Sequence, residues 1–278
     1  MPVPAALKAG VVAELPLAKS GSSPLSSISV SSDQRHGVVG GRELMKLIKI
    51  TPEGLTEIAT LKTRNNHKKG IGSSQTSRRD RMDDVSWCPS GGLVAASLSS
   101  GDVALWDLRH MSQDADIKGG GEGLIIGQHQ RSVNRLGWDP HDHTKLLSGS
   151  QDGLLKMWDC RSKTEAAVFR PKNGSVRDVQ FSPILQYKFA GVFDNGKLQI
   201  WDYRYIAEPF MKIVAHAKTT VSVEWHYTIP WRLATGSHDN TVKIWDLDES
   251  TANQRNLMAP QKRRPALMEQ TPKPSLTI

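Results

Sequence analysis

Four Trp-Asp pairs recur along 278 residues, at Trp106-Asp107, Trp158-Asp159, Trp201-Asp202 and Trp245-Asp246, and the last three tryptophans lie 43 and 44 residues apart. That period matches one four-stranded blade of a β-propeller. So small a sheet cannot bury both its faces alone, so repetition is how such a chain makes a core. The expected fold is all-β, a propeller with about five blades and an incomplete or open ring.

The strand pattern is clearest between residues 129 and 161. Ser132 to Trp138 alternates and stops at Pro140, and Lys145 to Ser150 is a second strand. Gln151-Asp152-Gly153 is a turn tolerant of positive φ, Leu154 to Trp158 a third strand, and Thr164 to Phe169 the outer strand. The same order returns from Ser175 to Ile213 and from Val221 to Leu247. An earlier copy holds Val85 to Pro89, Leu93 to Leu98 and Val103 to Trp106, and a Gly-rich insertion, Gly119 to Gly123, explains the wider gap to Trp158. Upstream, Ser26 to Leu61 makes a degenerate first blade without a Trp-Asp pair. The expected blades are 26–62, 83–109, 129–170, 175–214 and 220–247. Around them lie a flexible amino terminus, 1–25, a basic linker, 63–82, and a disordered, basic, Pro-containing tail, 248–278, with no strand signal.

Two blades share a polar constellation. His129, Ser148, Asp152 and Trp158 have the same mutual offsets as His216, Thr235, Asp239 and Trp245. The repeats resemble those of WD40 proteins, in which these four types form a buried chain from indole N–H to hydroxyl to imidazole to carboxylate. Ser, His and Asp together also suggest a hydrolytic triad, but here an indole donor belongs to the set and the set recurs two blades later, which favours a structural role. The blade ending at Trp201 has Ala190 and Asp194 instead and is expected to be looser. No catalytic residue, cofactor or metal is expected. His141 and His143 have no neighbouring Cys or further His in the sequence to complete a metal site.

Only Cys88 and Cys160 are present, too few for a disulfide framework or structural zinc, which suits a reducing compartment. No signal peptide or transmembrane stretch is evident. The net charge of +8 is concentrated: residues 62–81 hold seven Lys or Arg against one acid, and 250–278 hold five against one. The remainder is slightly acidic. Neither basic cluster interleaves aromatic residues, so nucleic-acid binding is not expected. The simplest account is solvated basic linkers; a patch touching anionic lipid or an acidic partner is the alternative.

Beyond the repeat, His129 to Arg161 and Ser175 to Arg204 resemble the third and fourth blades of the WD-repeat, RING-bearing subunits of SEA/GATOR-type complexes. Asp84-Val85-Ser86-Trp87, Ala215-His216 and Trp231 to Gly236 are similar to the same subunits, in order, across roughly 26–247. The resemblance implies a non-catalytic scaffold in amino-acid sensing that positively regulates TOR kinase. It implies partners among other propeller subunits and GTPase-activating-complex subunits. It also implies a cytoplasmic location, with membrane contact at the lysosome or vacuole only through partners. The chain departs from these relatives after Leu247, with fewer blades and without zinc ligands.

The shortfall in blades leads to the expectation of a fragment, a truncated gene product or a ring completed by another protein. A second functional class rests on Trp-Asp-x-Arg, in which Arg109, Arg161 and Arg204 would offer bidentate hydrogen bonds to the adaptor of a cullin-type ubiquitin ligase. The same residues can simply pair with the neighbouring Asp along the blade rim.

Overall fold

A computed structural model describes residues 24–42, 44–63, 81–109, 122–247 and 276–277. They form five sheets. The first contains β1 (Leu25–Val30), β2 (His36–Gly41), β3 (Leu44–Thr51) and β4 (Gly54–Thr60). The second has β6 (Met82–Trp87), β7 (Leu93–Leu98), β8 (Asp102–Asp107) and β9 (Glu122–Gln128), with β5 (Lys62–Thr63) added parallel to β9. The third has β10 (Val133–Trp138), β11 (Lys145–Ser150), β12 (Leu155–Asp159) and β13 (Thr164–Phe169). The fourth has β14 (Val176–Phe181), β15 (Lys188–Phe193), β16 (Lys197–Asp202) and β17 (Met211–Val214). The fifth has β18 (Thr220–Trp225), β19 (Arg232–Ser237), β20 (Val242–Asp246) and β21 (Leu276–Thr277).

Local chemistry fixes this repetition. The turn from second to third strand needs a left-handed residue five places before each Trp of a Trp-Asp pair. Gly101 (φ 98°), Gly153 (φ 80°), Gly196 (φ 78°) and Asn240 (φ 65°) supply it. Every innermost strand also carries a bulge near its start, at Leu25/Ser27, Met82/Asp84, Val133/Arg135, Val176/Asp178 and Thr220/Ser222. A bulge sharpens the local twist, which suits a strand at the crowded axis.

The core lies between sheets. Four apolar clusters fill the four seams: Leu47 and Met45 meet Trp106 and Val94; Val103 and Ile126 meet Trp158 and Leu146; Leu155 and Phe169 meet Trp201 and Phe189; Leu198 and Ile213 meet Trp245 and Leu233. Four seams joining five sheets make an open run rather than a closed ring. Among the described residues no apolar cluster joins the fifth sheet to the first. Apolar side chains are accordingly exposed at both ends: Ile28 is 64% exposed on the first sheet and Val242 49% on the fifth.

Three expectations need correction. The tail after Leu247 does supply a strand, since Leu276 and Thr277 pair antiparallel with Ile244 and Lys243. The outermost position needs ladder bonds on one side only, and Pro272 and Pro274 precede the strand in sequence. The expected boundary of the second blade at residue 109 omits its outer strand β9, which begins inside the presumed Gly-rich insertion. Two glycines of β9 serve packing: a Cβ on Gly123, the last residue of that insertion, would come within 2.2 Å of the Trp106 ring, and one on Gly127 within 2.0 Å of the Trp158 ring. Lys62 and Thr63, at the edge of the expected linker, belong to the second sheet through their pairing with Glu122 and Gly123. The expectations for residues 1–23, for 64–80 and for 248–275 lie outside the described residues.

Two uncovered sheet faces predict concentration-dependent self-association when this chain is expressed alone. Size-exclusion chromatography with light scattering checks it, and a monodisperse monomer with cooperative unfolding contradicts it.

Candidate functional site

Each Trp of a Trp-Asp pair stands on the third strand of its blade and turns its indole into the seam with the preceding blade, where it is at most 1% exposed. A buried indole N–H needs an acceptor, and the four blades provide one in three ways. In the third blade Trp158 donates to Ser148 Oγ (2.8 Å), Ser148 meets His129 Nε2 (2.8 Å), and His129 Nδ1 meets Asp152 Oδ2 (2.9 Å). The fifth repeats this arrangement, with Trp245 to Thr235 Oγ1 at 2.9 Å, Thr235 to His216 Nε2 at 2.8 Å and His216 Nδ1 to Asp239 Oδ2 at 3.0 Å. In both sets Nδ1–H donates to the carboxylate, which accepts only.

Each carboxylate completes its set by capping the turn that follows. Asp152 accepts from the backbone N–H of Gln130 (3.0 Å) and Leu154 (2.9 Å); Asp239 accepts from Ala217 (3.4 Å) and Thr241 (3.0 Å). Burial acts to raise the Asp152 carboxyl, but the His129 and backbone hydrogen bonds prevail and hold it at about 2, against an ordinary 3.8. Asp239 is likewise depressed, by Thr241 and His216 working against burial. Ser148 is fully buried and already engaged with both Trp158 and His129, so it presents no exposed nucleophile. Chemically, the sets can bind a loop to a sheet.

The other two blades use different acceptors. Trp201 donates to Gln199 Oε1 (3.1 Å), whose amide in turn donates to the carbonyl of Pro171 (3.3 Å), and Phe169 and Phe189 lie against the indole. The residues opposite the two network sets are Gly191 and Asn195, since Gly191 pairs with Gln199 as Ser148 pairs with Lys156. The expectation built on Ala190 and Asp194 is therefore out of register by one, and the expected looseness is not seen, because Trp201 is fully buried with its N–H bonded. Trp106 donates to the backbone carbonyl of Lys62 (3.1 Å), which ties β5 into the second blade.

The rim arginines differ among themselves. Arg109 forks onto Asp107, Nε to Oδ1 at 2.9 Å, and Arg204 forks onto Asp202 at 2.9 and 2.6 Å while lying over the Tyr187 ring. Arg161 is exposed and uses its backbone N–H on Asp159 (2.8 Å). No group of three or more potential metal ligands occurs among the described residues. His141 donates its backbone N–H to Asp139 (2.8 Å).

Sequence reading missed the axial set. Ser27, Asp84, Arg135 and Asp178 occupy the same post-bulge position on four successive inner strands and line a cleft of about 250 Å³ with Glu224. Arg135 Nε is 3.1 Å from Asp178, and its Nη1 is 3.7 Å from Asp84. Burial pushes both carboxyls up, against the pull of Arg135. Their second oxygens accept the N–H of Leu136 (2.9 Å) and Val223 (3.0 Å) on the next inner strand, as Ser27 Oγ accepts that of Val85 (3.1 Å). An inner strand is a sheet edge, and these side chains satisfy its orphan donors. The signal available in the sequence was the polar residue two or three places into each inner strand.

Comparison with known proteins agrees with this geometry. The family described as WD domain, G-beta repeat, matches residues 123–159 and 207–246. The chain carries WD40 repeats. It is 33% identical over 232 residues to the human GATOR2 complex protein WDR24, covering 83% of this chain and 28% of that protein. The corresponding Drosophila melanogaster protein is 30% identical over 223 residues, 80% of this chain and 26% of the relative. Human EARP and GARP complex-interacting protein 1 is 29% identical over 163 residues, 58% of this chain and 42% of the relative. The chain thus spans about a quarter of the length of its GATOR2 relatives. Its resemblance is to the WD-repeat subunit of GATOR2.

The depressed Asp152 carboxyl sets a pH dependence. Its stabilising contribution is complete above the ordinary value of 3.8 and is lost as pH falls through the folded one of about 2. Asp152→Asn is expected to melt lower at neutral pH and to lose less stability between about pH 4 and pH 2 than the parent chain. Thermal melts across that range check this, and parallel curves for the two proteins contradict it.

Proposed function

We propose that this chain acts as a non-catalytic WD40 scaffold within a GATOR2-type complex and there supports TOR kinase signalling in response to amino acids. The observation that carries the reading is the 33% identity to human WDR24 over 232 residues, more than four fifths of this chain. Exposed apolar residues on both outer sheet faces suit a protein that works bound to other propeller subunits. On this reading the chain resides in the cytoplasm and reaches lysosomal or vacuolar membranes through its complex. Subunits of the GTPase-activating complex are further partners.

The alternative, a substrate receptor of a cullin-type ligase, draws on Arg109, Arg161 and Arg204. Arg109 and Arg204 fork onto the Asp of their own Trp-Asp pair, so an adaptor would have to break those bonds. That favours the scaffold.

Affinity purification of the tagged chain from cells that contain a GATOR2-type complex, followed by mass spectrometry, tests the reading. Co-purifying propeller subunits are expected. Recovery of a cullin adaptor without them would overturn the scaffold in favour of the receptor.

A further inference from the structure

We propose that the edge of the fourth blade is a docking groove for an acidic, partly apolar segment of a partner protein, opened where that blade lacks the His, hydroxyl and Asp set. The proposal stands whichever complex the chain serves.

The argument begins with register. His129 and His216 lie 29 residues before their tryptophans, and the residue 29 before Trp201 is Lys172. In the third and fifth blades the imidazole is buried and fastens the loop to the sheet. Lys172 instead sits in the left-handed region (φ 55°) with its side chain in solvent. Gly191 and Asn195 stand where the other two blades have the hydroxyl and the carboxylate. Gln199 restores only the inner part of the set, the acceptor for Trp201 and the donor to the Pro171 carbonyl.

The outer part is a groove of about 250 Å³ between the 170–173 loop and β17, with Ala207, Pro209 and Val214 among its apolar lining. Arg170, Lys172 and Lys212 line it, and none of the three has an ion-pair partner among the described residues. Glu208 is the only carboxylate among its lining residues. Asn173 lines it too, and its Nδ2 is buried with no hydrogen-bond partner, a donor that an incoming acceptor would satisfy. Tyr205 and Ile206, 67% and 52% exposed, immediately precede Ala207, Glu208 and Pro209 of the lining in sequence. Unpaired cations around an apolar lining, with exposed apolar side chains next to it in sequence, complement carboxylates interspersed with apolar residues.

The test is fluorescence anisotropy with a labelled peptide of alternating Glu and Leu, titrated with the full chain at physiological salt. Saturable binding is expected, and Lys172→Glu with Lys212→Glu is expected to weaken it about tenfold or more at unchanged melting temperature. Arg161→Glu with Lys163→Glu, the same charge change on another rim, is expected to leave binding within about twofold. A second peptide with phosphoserine in place of Glu separates the two anion types. Tighter binding of that peptide, lost in the same double variant, supports the groove with phosphate as its preferred anion. No saturable binding of either peptide, or equal weakening by both double variants, overturns the proposal.

Discussion

A buried indole N–H with nowhere to go would cost more than most single contacts in a domain return, and this molecule places one in every seam that carries a Trp-Asp pair. The architecture follows from how those donors are met. The hydroxyl and imidazole of the third and fifth blades, the amide of Gln199 and the backbone carbonyl of Lys62 are different answers to one constraint. The choice of acceptor then sets the surface. Where His completes the chain, the loop is fastened down; where Lys172 takes its place, the blade edge is basic and indented.

The repeat, the strand order and the two hydrogen-bonded sets were legible because they depend on residues at fixed offsets, with Trp158 and Trp245 as markers. The fourth blade was misread by one residue, since Ala190 and Asp194 look plausible until pairing places Gly191 opposite Gln199. Gly123 looked like loop composition because its purpose, clearance for the Trp106 indole, exists only in three dimensions. The axial set was hidden for the same reason: Asp84, Arg135 and Asp178 are far apart in sequence and meet only when the inner strands converge. The short pairing of Leu276 with Ile244 carries almost no sequence signal, because a two-residue edge strand needs little more than an extended backbone.

The five blades also show why such a chain suits assembly. Apolar clusters fill its four seams, whereas apolar side chains stand exposed on the first and fifth sheets, a surface suited to packing against further protein, of this chain or another. That logic is independent of chemistry at any single residue, and it agrees with the similarity to a subunit named for a multiprotein complex.

Hydrogen exchange at the indole Nε1 protons, followed by NMR on the whole chain bound to whatever partner keeps it soluble, measures the central claim directly. The account predicts that Trp106, Trp158, Trp201 and Trp245 exchange only as slowly as the most protected backbone amides of their blades, because each donor is sealed in a seam. Fast exchange at Trp158 or Trp245, with backbone amides of the same blade still protected, would contradict it.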